Sequence, residues 1–331
     1  MGQTLTMSAL YKKLTTFGLN KKYIREYGLP SWWDDELNDK PFAVLEGAGY
    51  IADNFNIDLK SLLTPGEEVK FNTLPLPKFK QHNSKDKEHP HLAQTLASRV
   101  AELISYGSNI EYKNLANDAQ MIREEILSNH KTVSLESLLD YCWSKGIAVG
   151  YFNNFPKKIK KFAGLIQWQE TFPVIILSAK HTHRAKFTFD LAHELGHLAL
   201  GHLEKGVLVD EEIEFNSNDN EEQQANEFAV QLLLDKYDNH LGKYKFQNAE
   251  RLTRYVCKIL IPKLPNIEPD AIILNYGWHN KNCFHQAMAA LNILEVSTDG
   301  QKLINKYLAD NLDWDMFSDE TYEYLEKALG V

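Results

Sequence analysis

The sequence predicts an α+β fold, mostly helical with a small mixed sheet, and with helical extensions at both ends. Two observations carry this. Long stretches repeat apolar residues three and four apart, which is the spacing of one helix face, and two short runs are apolar and β-branched throughout, as buried strands are. These strand-like runs follow a block of helices instead of alternating with them, which favours α+β over a doubly wound sheet. With 331 residues, 44% of them hydrophobic and 24% charged, the chain has the balance of a globular protein and room for about two domains.

Residues 1–80 carry helical spacing at Leu10, Leu14 and Phe17 and again at Tyr50, Ile51 and Phe55, with turn chemistry at Gly28-Leu29-Pro30 and at Pro41. Ala48 to Leu63 reads as helix, turn, helix. Between Thr73 and Pro90 the chain turns polar, lysine-rich and proline-punctuated, which places a linker at 81–91. Helical spacing returns at Leu92, Leu96, Val100 and Leu103, then over Ala116–Leu127, then at Leu135, Leu138, Leu139 and Trp143, closed by Gly146. Ile147–Phe152 and Val174–Leu177 are the two strands. The first domain therefore spans 1–80, a second 92–250, and a helical region 251–331 follows, where Trp314, Phe317, Tyr322, Tyr324 and Leu325 supply anchors for docking on the chain's own core.

A net charge of −9 gives no global footprint for nucleic acid or an anionic membrane. Residues 1–80 balance ten bases against ten acids, so Ile51–Leu63, which resembles the closing helices of a Cro/repressor-type helix-turn-helix, is expected to be a degenerate helical adaptor, and direct DNA binding is not expected. Lys157-Lys158-Ile159-Lys160-Lys161 is read as a solvated face. Three cysteines, an odd number with no CxxC pair, predict neither a disulfide framework nor a thiolate metal site, and so a cytoplasmic protein. There is no apolar run of membrane-spanning length and no secretory h-region; the myristoylation-like Met1–Thr6 is too short a pattern to carry an anchor.

The stretch that carries chemistry is Phe189-Asp190-Leu191-Ala192-His193-Glu194-Leu195-Gly196-His197. Four residues is about one helical turn, so His193 and His197 can aim imidazoles at one ion. Glu194 can then act as general base on a water at that ion, which polarises the carbonyl under attack. Two histidines leave such a site one ligand short. His202 does not fit the metzincin register, where the third histidine would stand at Leu203. A carboxylate on a second helix is the alternative, and Glu221-Glu222-Gln223-Gln224-Ala225-Asn226 opens one; spacing alone does not choose between Glu221 and Glu222.

Together, His193-Glu194-Leu195-Gly196-His197, the following Leu200-Gly201-His202, and Glu222-x-x-Ala225-Asn226-x-Phe228-Ala229 resemble the ImmA/IrrE family of metallopeptidases. Leu138-Leu139-x-x-Cys142-Trp143-x-x-Gly146-Ile147 and Phe172-Pro173-x-Ile175-x-Leu177 resemble it as well, so that the likeness covers roughly residues 92–235. The resemblance implies a zincin-like, gluzincin-type core, Zn2+ held by His193, His197 and Glu222, and Glu194 as catalytic base. It implies an endopeptidase acting on a repressor-like DNA-binding regulator encoded nearby, to switch gene expression or a stress or phage response. The alternative is the toxin or binding component of a toxin-antitoxin pair held by a repressor-like antitoxin. Accessory roles are weighed for His202 (orienting a ligand or capping its helix) and for His181, His183 and Arg184 (contacting substrate or an oxyanion), and Cys142 raises the idea of a thiolate switch. Val174–Leu177 would align a substrate by strand addition if it lay at a sheet edge. Between Gly206 and Asp235 stand nine acids and no lysine or arginine, enough to account for the net charge and suited to drawing in a divalent cation or a basic partner.

Overall fold

The computed structural model describes residues 5–72, 77–80, 90–181, 183–211, 213, 217–236, 240–242, 244–294 and 299–331. Most of the myristoylation-like segment and of the expected linker lies outside these residues. Four helices open the chain: α1 (Met7–Thr15), α2 (Lys21–Tyr23), α3 (Pro41–Asn54) and α4 (Leu59–Leu63). Their starts follow local rules. Thr6, Asn20 and Asp58 cap α1, α2 and α4 by accepting backbone N–H groups, and Pro41 opens α3 where no N–H partner is needed. The helix-turn-helix-like stretch becomes the end of α3, a turn and the five-residue α4, whose terminal carbonyls accept from the Lys13 ammonium.

Strand β1 (Pro77–Lys80) precedes α5 (Pro90–Tyr106), α6 (Ala119–Leu127) and α7 (Leu135–Ser144). Then come β2 (Ala148–Tyr151), β3 (Gly164–Gln169), β4 (Phe172–Leu177), α8 (Arg184–Ala199), β5 (Val207–Asp210) and α9 (Asn220–Leu234). Helices α10 (Ala249–Tyr255), α11 (Pro269–His279), α12 (Phe284–Ile293), α13 (Gly300–Asn311) and α14 (Asp319–Leu329) complete the chain. None of the described helices is long and apolar enough to cross a membrane.

The strands form one mixed sheet in the order β1-β5-β3-β4-β2. β5 and β4 flank β3 antiparallel, while β1 on β5 and β2 on β4 are parallel. Side chains alternate across it with period two. Val149, Ile166, Ile175, Leu177 and Leu208 face a core shared with α7, α8, α9 and α11; Ala148, Leu165, Val174, Ile176, Val207 and Val209 face a second core shared with α1, α3, α5 and α14. This corrects two expectations. The N-terminal helices and the peptidase-like region share an apolar core across the boundary placed at residue 80, and β1 joins the sheet itself. Val174–Leu177 lies between β3 and β2, with its backbone paired on both sides, so it has no free edge for a substrate.

β2 ends the sheet, and Asn305 of α13 closes its edge. The Asn305 Oδ1 accepts from Tyr151 N at 2.7 Å, while its Nδ2 donates to Tyr151 O at 2.8 Å and to Leu329 O. A buried side-chain amide thus stands in for a neighbouring strand and ties in the C-terminal helices, with Tyr324 and Leu325 of the tail buried as expected. Asn305→Ala leaves buried backbone groups unpaired, and urea denaturation should show a loss of about 2–4 kcal/mol.

Candidate metal centre

Helix α8 is buried from Phe187 to Leu198, and within it His193 and His197 lie one turn apart with Nε2 atoms 3.1 Å from each other. Helix α9 meets it at small residues: a Cβ on Gly196 would come 3.1 Å from Phe228 Cδ1 and 3.3 Å from Ala225 Cα. Asp219 caps α9, accepting from Glu221 N at 2.9 Å and Glu222 N at 3.3 Å, and this fixes the first turn so that Glu222 faces inward. Its Oε1 lies 3.3 Å from His197 Nε2 and its Oε2 3.5 Å from His193 Nε2. The structure therefore separates Glu222 from Glu221, which spacing alone did not.

A fourth donor comes from β5. Asp210 is fully buried, with Oδ2 3.5 Å from His197 Nε2 and 3.7 Å from His193 Nε2. Ligand atoms of His193, His197, Asp210 and Glu222 all lie within 4.8 Å of one another. Sequence reasoning missed Asp210, although the signal was there: an acid ending the strand-like run Val207-Leu208-Val209, two residues on from an inward-facing leucine.

The imidazoles are oriented from behind. His193 Nδ1 lies 3.1 Å from Asn226 Oδ1, which can only accept, so the proton sits on Nδ1 and Nε2 is free to ligate. His197 Nδ1 lies 2.9 Å from His202 Nδ1, and His202 Nε2 lies 3.0 Å from Gln224 Oε1. Gln224 accepts from His202 Nε2–H, so His202 Nδ1 accepts from His197 Nδ1–H, and the His197 Nε2 lone pair is again turned to the centre. His202 thus stands directly behind His197, between it and Gln224.

These residues fit a bound cation. Both oxygens of Glu194, both of Asp210 and Oε1 of Glu222 are buried without a hydrogen-bond partner, an arrangement that is costly unless positive charge is shared among them. Among the protein groups alone, burial disfavours a charged His193, yet Asp210 and Glu222 push its pKa up to about 10. Burial, then Asp210, drives the Glu194 carboxyl well above its usual range. Burial would raise Glu222 too, but His193 and His197 hold it well below that range. Glu194 has space only because residue 164 is glycine: a Cβ there would stand 1.7 Å from Glu194 Oε1.

The other candidates lie elsewhere. His181 Nε2 pairs with Asp190 Oδ2 at 2.7 Å, Arg184 with Glu136, and His183 occupies the N-cap position of α8; they secure the entry to that helix. Cys142 is buried in the core, its thiol pushed up to about 12 by burial, and it is not among the grouped donors, which removes the thiolate switch. Within the basic run, Lys160 pairs with Glu211 at 2.5 Å and Lys161 Nζ donates to Asn153 O at 3.0 Å.

An HExxH helix packed on a mixed sheet, with a carboxylate supplied by the next helix, defines an α+β, zincin-like metallopeptidase core. Residues 144–255 match the model of the Peptidase_M78 family, described as the IrrE N-terminal-like domain, and the chain thus carries a peptidase domain of the ImmA/IrrE type that includes all four donors and Glu194. No curated protein matches the chain.

Two outcomes follow from this geometry. Gly164→Ala forces Glu194 or β3 to move and should lower thermal stability by about 1–3 kcal/mol, more than Gly196→Ala, whose nearest contact is the Phe228 ring edge. Asn226→Ala should weaken cobalt(II) affinity about 10–100-fold in chelator competition while leaving the circular dichroism spectrum unchanged.

Proposed function

We propose that this protein is a zinc-dependent endopeptidase of the cytoplasm that cleaves a repressor-like or antitoxin-like regulatory protein and so switches gene expression or a stress or phage response. The observation that carries the reading is the buried, unpartnered carboxylate of Glu194 beside the four grouped donors, within a stretch that matches a peptidase family. Two imidazoles with carboxylate oxygens suit zinc better than magnesium or calcium, which prefer all-oxygen sites. Three free cysteines accord with a reducing compartment.

His193, His197 and Glu222 would hold the metal. When bound, the ion polarises a carbonyl and acidifies water. Glu194 takes the proton of the attacking water and passes it to the leaving amine; its raised affinity for a proton suits both halves of that transfer. Asn226 and the His202–Gln224 pair keep the imidazoles turned inward throughout. The acidic segment between Gly206 and Asp235 favours a basic partner, as a DNA-binding regulator is.

A second reading is a binding component of a toxin-antitoxin-type pair with little proteolysis. The feature that favours it is the full burial of His193, Glu194, His197 and Asp210. Glu194→Gln separates the two. Under conditions in which the unaltered chain cleaves a co-expressed regulator, the variant should lose about 10²–10⁴-fold in rate, keep its zinc, and retain the regulator as a trapped partner identifiable by mass spectrometry. An unaltered cleavage rate would sink the assignment.

A further inference from the structure

We propose that Asp210 is a fourth protein ligand of the metal, and that β5 seats it in the place a substrate strand would take, so that the chain as folded is latent. This rests on the metal reading above and goes beyond it. Asp210 and Glu222 approach the same two nitrogens at similar range, 3.5–3.7 Å for Asp210 and 3.3–3.5 Å for Glu222. Both Asp210 oxygens are buried and lack hydrogen-bond partners. A carboxylate in that position, beside Glu194 and Glu222, has the two imidazoles at 3.5–3.7 Å as neighbours and would be stabilised further by sharing a cation with them.

The strand that delivers it is held on both sides. Residues Val207–Asp210 pair antiparallel with β3 and parallel with β1, and the Asp210 carbonyl accepts from Ala163 N at 2.8 Å. Just beyond, Glu211 pairs with Lys160 at 2.5 Å. A side chain on so fixed a backbone is a placed ligand, not one that wanders in.

His193, His197, Glu222 and Asp210 make four donors, the number that closes a tetrahedral zinc site, whereas catalysis needs one position open. The backbone register tells the same story. Asp210 is the β5 partner of Gly164, and Gly164 is the residue over which the Glu194 carboxylate lies. An extended peptide adding to this edge of β3 would present its carbonyl to Glu194 and the metal from the slot that β5 fills. Opening the site therefore requires β5 to leave β3 and Asp210 to leave the metal.

The test uses the full chain loaded with cobalt(II), whose visible spectrum reports coordination, and acetohydroxamate as a small ligand for an open position. The unaltered protein should bind one equivalent of cobalt and show no spectral change with acetohydroxamate. Asp210→Ala and the isosteric Asp210→Asn should respond to it and bind cobalt at least about tenfold more weakly. A response of the unaltered chain as strong as that of the variants, with equal cobalt affinities, overturns the inference and leaves the metal reading intact. Failure of the unaltered chain to take up cobalt overturns the metal reading and this inference with it. Should both variants fail to fold, the acetohydroxamate titration of the unaltered chain alone decides: a spectral change refutes a closed site.

Discussion

Three carboxylates and two imidazoles face one another in the buried space between α8, α9 and β5, and their charge is the constraint around which the rest of the molecule is arranged. Burying an ion costs several kcal/mol even after relaxation, while a whole domain is stable by only about 5–15 kcal/mol. Glu194, Asp210 and Glu222 together would consume much of that margin if nothing offset them. A shared cation removes the conflict, and it links metal binding to folding, because the donors come from three elements that meet only in the folded chain.

Packing around the centre serves that meeting. Gly196 and Ala225 let α8 and α9 approach closely enough for Glu222 to reach the histidine pair, and Gly164 opens the floor of the site for Glu194. Behind the imidazoles, Asn226 and Gln224 lie on the same helix as Glu222, so α9 supplies one of the grouped carboxylate donors and the partners that face both histidines from behind. The sheet beneath is closed at the β2 end by α13 through Asn305, and on the metal side β5 and β1 extend it beyond β3. No described element offers β3 an open edge beside the site.

Local features were legible in the sequence and non-local ones were not. His193, Glu194 and His197 sit on one helical face by arithmetic that needs no tertiary structure, and the helices around them follow from apolar spacing and caps. Glu222 needed a resemblance, because nothing local distinguishes it from Glu221; the cap at Asp219 makes the distinction in three dimensions. β3 was missed because Gly164, Gln167 and Gln169 break its apolar run. β5 was hidden because its aspartate opens a run of acids, which reads as a charged segment suited to drawing in a cation or a basic partner and not as a strand. β4 was correctly seen as a strand, yet its place between β3 and β2 depends on the parallel pairing of Val174 with Ala148 and its neighbours, which periodicity does not report. Cys142 beside Trp143 suggested chemistry, but burial made it an ordinary core residue.

In the proposed arrangement two histidines, a glutamate and an aspartate share one metal ion over a general base, on a peptidase core whose own strand covers the site. X-ray absorption at the zinc edge of the purified full chain tests this most directly. It should show one zinc with four nitrogen and oxygen neighbours at about 2.0–2.1 Å and outer-shell scattering from two imidazoles. A sulfur neighbour, a single imidazole or a chain without bound metal would contradict it.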